Sequence, residues 1–104
     1  MKLAISSTGD TVEAPIDSRF GRCSFFALYD TETHQVQFIP NTAADSSQGA
    51  GPAAVQLLAA HQVKKVISGE FGMKVQPLLQ SLSIEMQSLK NESTTILDLI
   101  KLEK

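Results

Sequence analysis

Residues 25–39 read Phe25-Phe26-Ala27-Leu28-Tyr29-Asp30-Thr31-Glu32-Thr33-His34-Gln35-Val36-Gln37-Phe38-Ile39, two apolar runs around a short polar break. Aromatic and β-branched residues suit strands, and the break has turn composition, so the segment predicts an antiparallel hairpin with His34 at its tip. Upstream, Leu3 and Ile5 alternate with Lys2 and Ala4, a first strand expected to end at the turn residues Ser6-Ser7-Thr8-Gly9-Asp10. A long loop with Pro15 and Gly21 then runs from Thr11 to Cys23. Downstream, Pro40-Asn41 ends the third strand, and a polar loop from Thr42 to Gln48 leads to Gly49-Ala50-Gly51-Pro52. A helix begins there, with Pro52 at its first position and Ala54, Leu57, Leu58 and His61 along one face.

Val63 to Ile67 reads as the fourth strand, and Ser68-Gly69-Glu70-Phe71-Gly72 as the turn into a second helix. Pro77 is tolerated in a first turn, which places that helix's start near Met73, with Val75, Leu78, Leu79 and Leu82 as its buried stripe. Ile84-Glu85-Met86 alternates as a fifth strand, and Ser93 or Thr94 is expected to cap a last helix carrying Ile96, Leu99 and Ile100. The order βββαβαβα predicts an α/β fold: a mixed sheet of five strands with three helices packed on it.

Length and composition bound what such a fold does. The 104 residues, with eleven acidic and nine basic side chains, fit one domain spanning residues 1–104. A chain of this size buries roughly two thirds of its unfolded surface and folds without a disulfide staple. Hydrophobic residues at 42% and a mean hydropathy of -0.01 exclude a disordered chain. No apolar run reaches the ~20 residues needed to span a bilayer, so no membrane partner is expected. The start Met1-Lys2-Leu3-Ala4-Ile5-Ser6-Ser7 lacks the long apolar stretch of a signal peptide. One cysteine suits a reducing compartment, and a pI near 5.6 offers no general attraction to nucleic acid. The cytoplasm is the expected location.

The predicted strand directions put all six glycines, at positions 9, 21, 49, 51, 69 and 72, at one end of the sheet, together with Arg19, Arg22 and Cys23. Ligands of open α/β sheets bind outside the carboxyl ends of the strands. His34 and His61 fall at the opposite end. Glycine permits close backbone approach, helix starts present amide donors to anions, and guanidinium forks add positive charge. The constellation predicts an anion-seeking pocket. Each piece also has a plainer explanation: glycines punctuate turns, and Arg19 or Arg22 can pair with Asp10 or Asp17 on the surface. Cys23 is either a small buried hydrophobe or a soft ligand, and Met73 either fills a gap or offers a thioether.

Phe20-Gly21-Arg22, the Gly49-Ala50-Gly51-Pro52 helix start and Val66-Ile67-Ser68-Gly69-Glu70-Phe71-Gly72 occur in the order seen in the dinitrogenase iron-molybdenum cofactor biosynthesis family. The chain resembles that family over nearly its whole length. The resemblance implies a ribonuclease H-like sheet and a role like that of NifX-like carriers and the carboxyl-terminal module of NifB-like proteins. Such carriers bind iron-sulfur or iron-molybdenum cluster precursors without turnover and pass them to cofactor-assembly proteins. It also implies Arg19, Phe20, Gly21, Arg22, Cys23, Gly49, Gly51, Gly69 and Gly72 as cofactor-binding positions. Family members often carry histidine where this chain has Arg19, and in the loop that here reads Ser46-Ser47-Gln48, which leaves Cys23 as the strong soft donor and candidate metal ligand.

The expected function is thus a non-catalytic carrier of an anionic cluster. One alternative is a regulatory or scaffolding interaction domain without metal. Another is a metal-dependent phosphodiesterase of the ribonuclease H-like type. The last is disfavoured because Ser6 and Ser7 stand where such nucleases carry an acid, and Asp10, Asp17 and Glu70 are isolated loop residues.

Overall fold

The computed structural model describes residues 1–45 and 49–103, so the Ser46-Ser47-Gln48 segment lies outside the described residues. Its elements are β1 (Lys2–Ser7), β2 (Phe25–Asp30), β3 (Val36–Pro40), α1 (Ala50–Ala60), β4 (Lys65–Ser68), α2 (Val75–Ser81), β5 (Glu85–Ser88) and α3 (Ile96–Leu102), in the expected order. They form one mixed sheet, β3-β2-β1-β4-β5. The hairpin pairs Phe25 with Pro40 and Tyr29 with Val36, and β2 lies antiparallel to β1, Lys2 opposite Asp30. β1 runs parallel to β4, and β4 to β5, because α1 and α2 carry the chain back between strands.

Side-chain alternation along the strands splits the core in two. Ala4, Phe26, Leu28 and Val66 point to the face covered by α1 and α2, where they meet Ala54, Val55, Leu58, Val75 and Leu79. Leu3, Ile5, Ala27, Tyr29 and Ile67 point to the other face and meet Ile96, Leu99 and Ile100 of α3. Both faces of β1 are therefore dry, and it is buried from Leu3 to Ser7.

Several boundaries depart from the expectations. Ser6 and Ser7 belong to β1, since tertiary pairing overrides their turn propensity. Ser7 bridges Ile16, and the Ser6 hydroxyl donates to the Asp17 carbonyl at 2.7 Å and lies 2.8 Å from the Ser68 hydroxyl. α1 starts at Ala50, which makes Pro52 its third residue, still within the turn whose amides have no helical acceptor. α2 starts at Val75, two residues later than Met73, again with Pro77 in the first turn. Thr95 caps α3, in place of Ser93 or Thr94. Its hydroxyl accepts from the Asp98 amide and the Asp98 carboxylate accepts from the Thr95 amide, a reciprocal capping box.

Candidate anion-binding cleft

The long loop before β2 is held against the sheet end by main-chain contacts. The Asp17 amide donates to the Ser6 carbonyl at 2.8 Å, and Arg19 bridges Glu70 in parallel fashion. Asn41, buried after β3, donates from Nδ2 to the carbonyls of Gly21 and Cys23, both at 3.0 Å, while its Oδ1 accepts from the Ala43 amide at 3.1 Å. These ties bring the 19–22 loop, the start of α1 and the turn before α2 to one edge. Between them lies a cleft of about 280 Å³ lined by Arg19, Phe20, Gly21, Arg22, Ala50, Gly51, Glu70, Gly72 and Val75.

Glycine makes this approach geometrically possible. A Cβ on Gly21 would lie 2.7 Å from the Gly51 nitrogen, one on Gly51 would lie 2.6 Å from a Val75 methyl, and one on Gly69 would lie 2.5 Å from the Ser18 Cα. Gly72 faces open space. Gly49, the residue before α1, has a φ of 129° and does not line the cleft. Gly69 is buried at a neighbouring hollow of about 410 Å³ with Glu70, Phe71, Gln76 and Met86. Phe20 is buried as the cleft floor, stacked in tilted fashion on Phe26 and Phe71 at 5.6 and 5.5 Å. Ala50 and Gly51 are the first residues of α1 and bring helix-start amides to the cleft. The seven-residue α2 adds less than expected, because the Gly72 carbonyl already accepts from the amides of Val75 and Gln76.

Charge is distributed unequally between the two arginines. Asp17 Oδ1 accepts from the Arg19 amide at 2.9 Å and from Nε at 3.2 Å, and Oδ2 accepts from Nη2 at 3.2 Å. This hydrogen bond and the charge of Asp17 raise the Arg19 pKa still further. Arg22 donates from Nη1 to the Ala44 carbonyl at 2.6 Å and has no carboxylate partner among the described residues. Glu70 also lines the cleft, whose lining therefore carries two cations and one carboxylate.

Cys23 does not line the cleft. Its thiol is buried, donates to the Phe20 carbonyl at 3.4 Å and lies 3.7 Å from Asn41 Nδ2. Burial, and then the charge of Asp17, push its pKa up to about 12, so the thiolate that a metal needs is strongly disfavoured. The described residues hold no group of three His, Cys, Asp or Glu side chains that could bind a metal ion. His34 and His61 lie at the far end of the sheet, as expected: His34 follows β2 and His61 ends α1. A concavity of about 630 Å³ also opens at that end, between Lys2, Asp30, Val63, Lys64 and Leu82.

The residues that composition and spacing did not single out for the cleft are Asn41, Ala50, Glu70 and Val75. Asn41 after a proline signals a turn, but nothing in sequence shows its reach to Gly21 and Cys23.

Comparison with known proteins gives a consistent outcome. The family model for dinitrogenase iron-molybdenum cofactor matches residues 1–102. The apo form of the orange protein from Desulfovibrio gigas superposes with a TM-score of 0.89 at 27% identity, over 96% of this chain and 83% of that one. A NifB-like protein of the DUF35 family from Thermotoga superposes with a TM-score of 0.81 at 30% identity, over 96% and 84% of the two chains. No curated protein matches the sequence. Among the described residues, no helix is long and apolar enough to cross a membrane.

Proposed function

The chain belongs to the dinitrogenase iron-molybdenum cofactor family, and from that premise we propose that it is a small non-catalytic carrier of an anionic iron-sulfur or iron-molybdenum cluster or its precursor. The observation that carries the reading is the meeting of Arg19, Arg22, Gly51 and Gly72 on one cleft at the carboxyl ends of the parallel strands. Without a thiolate or imidazole set, the cleft would hold a cluster through the cluster's own sulfide shell. Arg22 and the amides at the start of α1 would donate hydrogen bonds to it, with Phe20 as an apolar floor. Such contacts break readily, which suits a protein that hands its cargo to assembly partners. Cys23 would contribute by packing rather than by ligation. We place the domain in the cytoplasm and extend the reading to the ribonuclease H-like class, in keeping with a five-stranded sheet whose second strand alone opposes the rest.

One observation favours a second reading. Gly21, Gly51 and Gly69 are all required for packing alone, as they would be in an interaction domain that binds no metal.

Anaerobic mixing with iron-molybdenum cofactor or iron-sulfur precursor, followed by gel filtration and metal analysis, separates the two. The carrier reading expects retained metal, with retention reduced and made less salt-sensitive by Arg22→Ala and unchanged by His34→Ala. Protein that emerges free of metal points to the interaction domain.

A further inference from the structure

Arg19 borders two concavities: the cleft, and a side hollow of about 330 Å³ lined by Thr8, Pro15, Ile16, Asp17, Ser18, Arg19 and Glu92. The acid that grips it, Asp17, borders only the side hollow. The pair is asymmetric, since the Asp17 side chain is 6% exposed and the Arg19 side chain 62%. The carboxylate is also fixed in place, because the Asp17 main chain is tied at both ends: its amide to the Ser6 carbonyl, its carbonyl to the Ser6 hydroxyl and the Gly69 amide. The guanidinium, on its long exposed stem, is the part free to move.

We propose that Asp17 is a positioning residue that sets the strength of the cleft: it holds the Arg19 guanidinium toward the side hollow and competes for it with any anion in the cleft. At rest Arg22 acts alone. A ligand with two or more acceptor oxygens or sulfides offers Arg19 a forked partner equivalent to the carboxylate and draws it across, whereas a monodentate halide does not. The selected class is therefore a polyvalent oxo- or thio-anion. Return of Arg19 to Asp17 favours release. The proposal rests on the preceding reading only in taking the cleft as the seat of the anion.

Molybdate serves as the probe, titrated calorimetrically into the wild-type chain, Asp17→Asn, Arg19→Ala and the double variant. Asparagine keeps an oxygen for the Arg19 amide, so the loop is retained while the guanidinium is released, and the amide fingerprint by NMR checks this. Asp17→Asn is expected to bind molybdate up to about fivefold more tightly, the upper end of what a half-exposed ion pair contributes. That gain should vanish when Arg19 is also alanine. Glu70→Gln, which removes a rim charge without touching the pair, should keep its own gain in the Arg19→Ala background. A gain from Asp17→Asn that survives loss of Arg19, or no molybdate binding by Asp17→Asn, overturns the proposal. In the wild-type protein the Arg19 Nε–H resonance should shift as molybdate saturates and stay fixed with chloride, and an unmoved resonance also overturns it. Cluster retention without an Asp17 effect would leave the carrier reading standing and remove this one. An Asp17 effect without cluster retention would do the reverse.

Discussion

Gly21 and Gly72 lie on the same cleft, yet they should respond oppositely to the same added methyl. Gly21→Ala drives a Cβ into main-chain atoms of Ala50 and Gly51 at 2.7 to 3.0 Å, which cannot rotate away. A loss of about 1 to 3 kcal/mol in denaturant unfolding is expected, whereas Gly72→Ala should leave the unfolding midpoint unchanged. Cys23 supplies a second prediction. With its folded pKa raised from 9.0 to about 12, the neutral thiol stabilises the native state fully below pH 9, and that contribution falls away as pH rises toward 12. Wild type should therefore lose more stability than Cys23→Ala between those pH values, and native protein should resist alkylation that proceeds at once in guanidinium. The sequence brought Arg19, Phe20, Gly21, Arg22, Gly51 and Gly72 to one end because strand direction alone determines ends. Which side chains share a cavity was beyond it: Cys23 lies one residue from Arg22 yet inside the core, because the Phe20 carbonyl and Asn41 turn the loop inward. The grip of Asp17 on Arg19 was one of two pairings open to it, and an i, i+2 spacing in a loop does not choose.

Among the elements, α3 has the clearest local code. Thr95 and Asp98 close a capping box, Ile96, Leu99 and Ile100 face the sheet, and Lys101 lies in the last turn. Thr95→Ala should cost about 1 kcal/mol by thermal or denaturant unfolding. The Asp98 carboxylate, hydrogen-bonded by the Thr95 amide and hydroxyl, is held below its ordinary pKa of 3.8. Its stabilisation is present above that pH and disappears as pH falls through the lower folded value, so the deficit of Asp98→Asn relative to wild type should shrink on acidification. Periodicity revealed this helix, but the expected cap, Ser93 or Thr94, fell one or two residues early; Asp98 at the third position selects Thr95. The β1 terminus was misjudged for a different reason. Ser6 and Ser7 favour turns locally, but Ser68 and the 15–17 segment, far away in sequence, supply their partners.

For the molecule as a whole, strand position sets an order of opening. β1 is central and paired on both sides, while β3 and β5 lie at the edges with mostly exposed or half-exposed residues. Amide hydrogen exchange should be slowest in β1 and β4, requiring global unfolding, and faster in β5 and the outer side of β3. Greater protection in β3 than in β1 would contradict this arrangement of the core. Overall architecture was readable from the chain because each apolar period is intact and the β2–β3, α1–β4, β4–α2 and α2–β5 connections are short enough to fix a neighbour. The unequal state of the two arginines was not, since it arises from tertiary contacts made only when the sheet closes. The interlocked glycines carry one last implication, for how such a surface diversifies. Three connecting segments mesh backbone to backbone like gear teeth, so inheritance can repaint the outward-facing Glu70 or Met73 without disturbing the fold, while any thickening of the meshed parts jams all three at once.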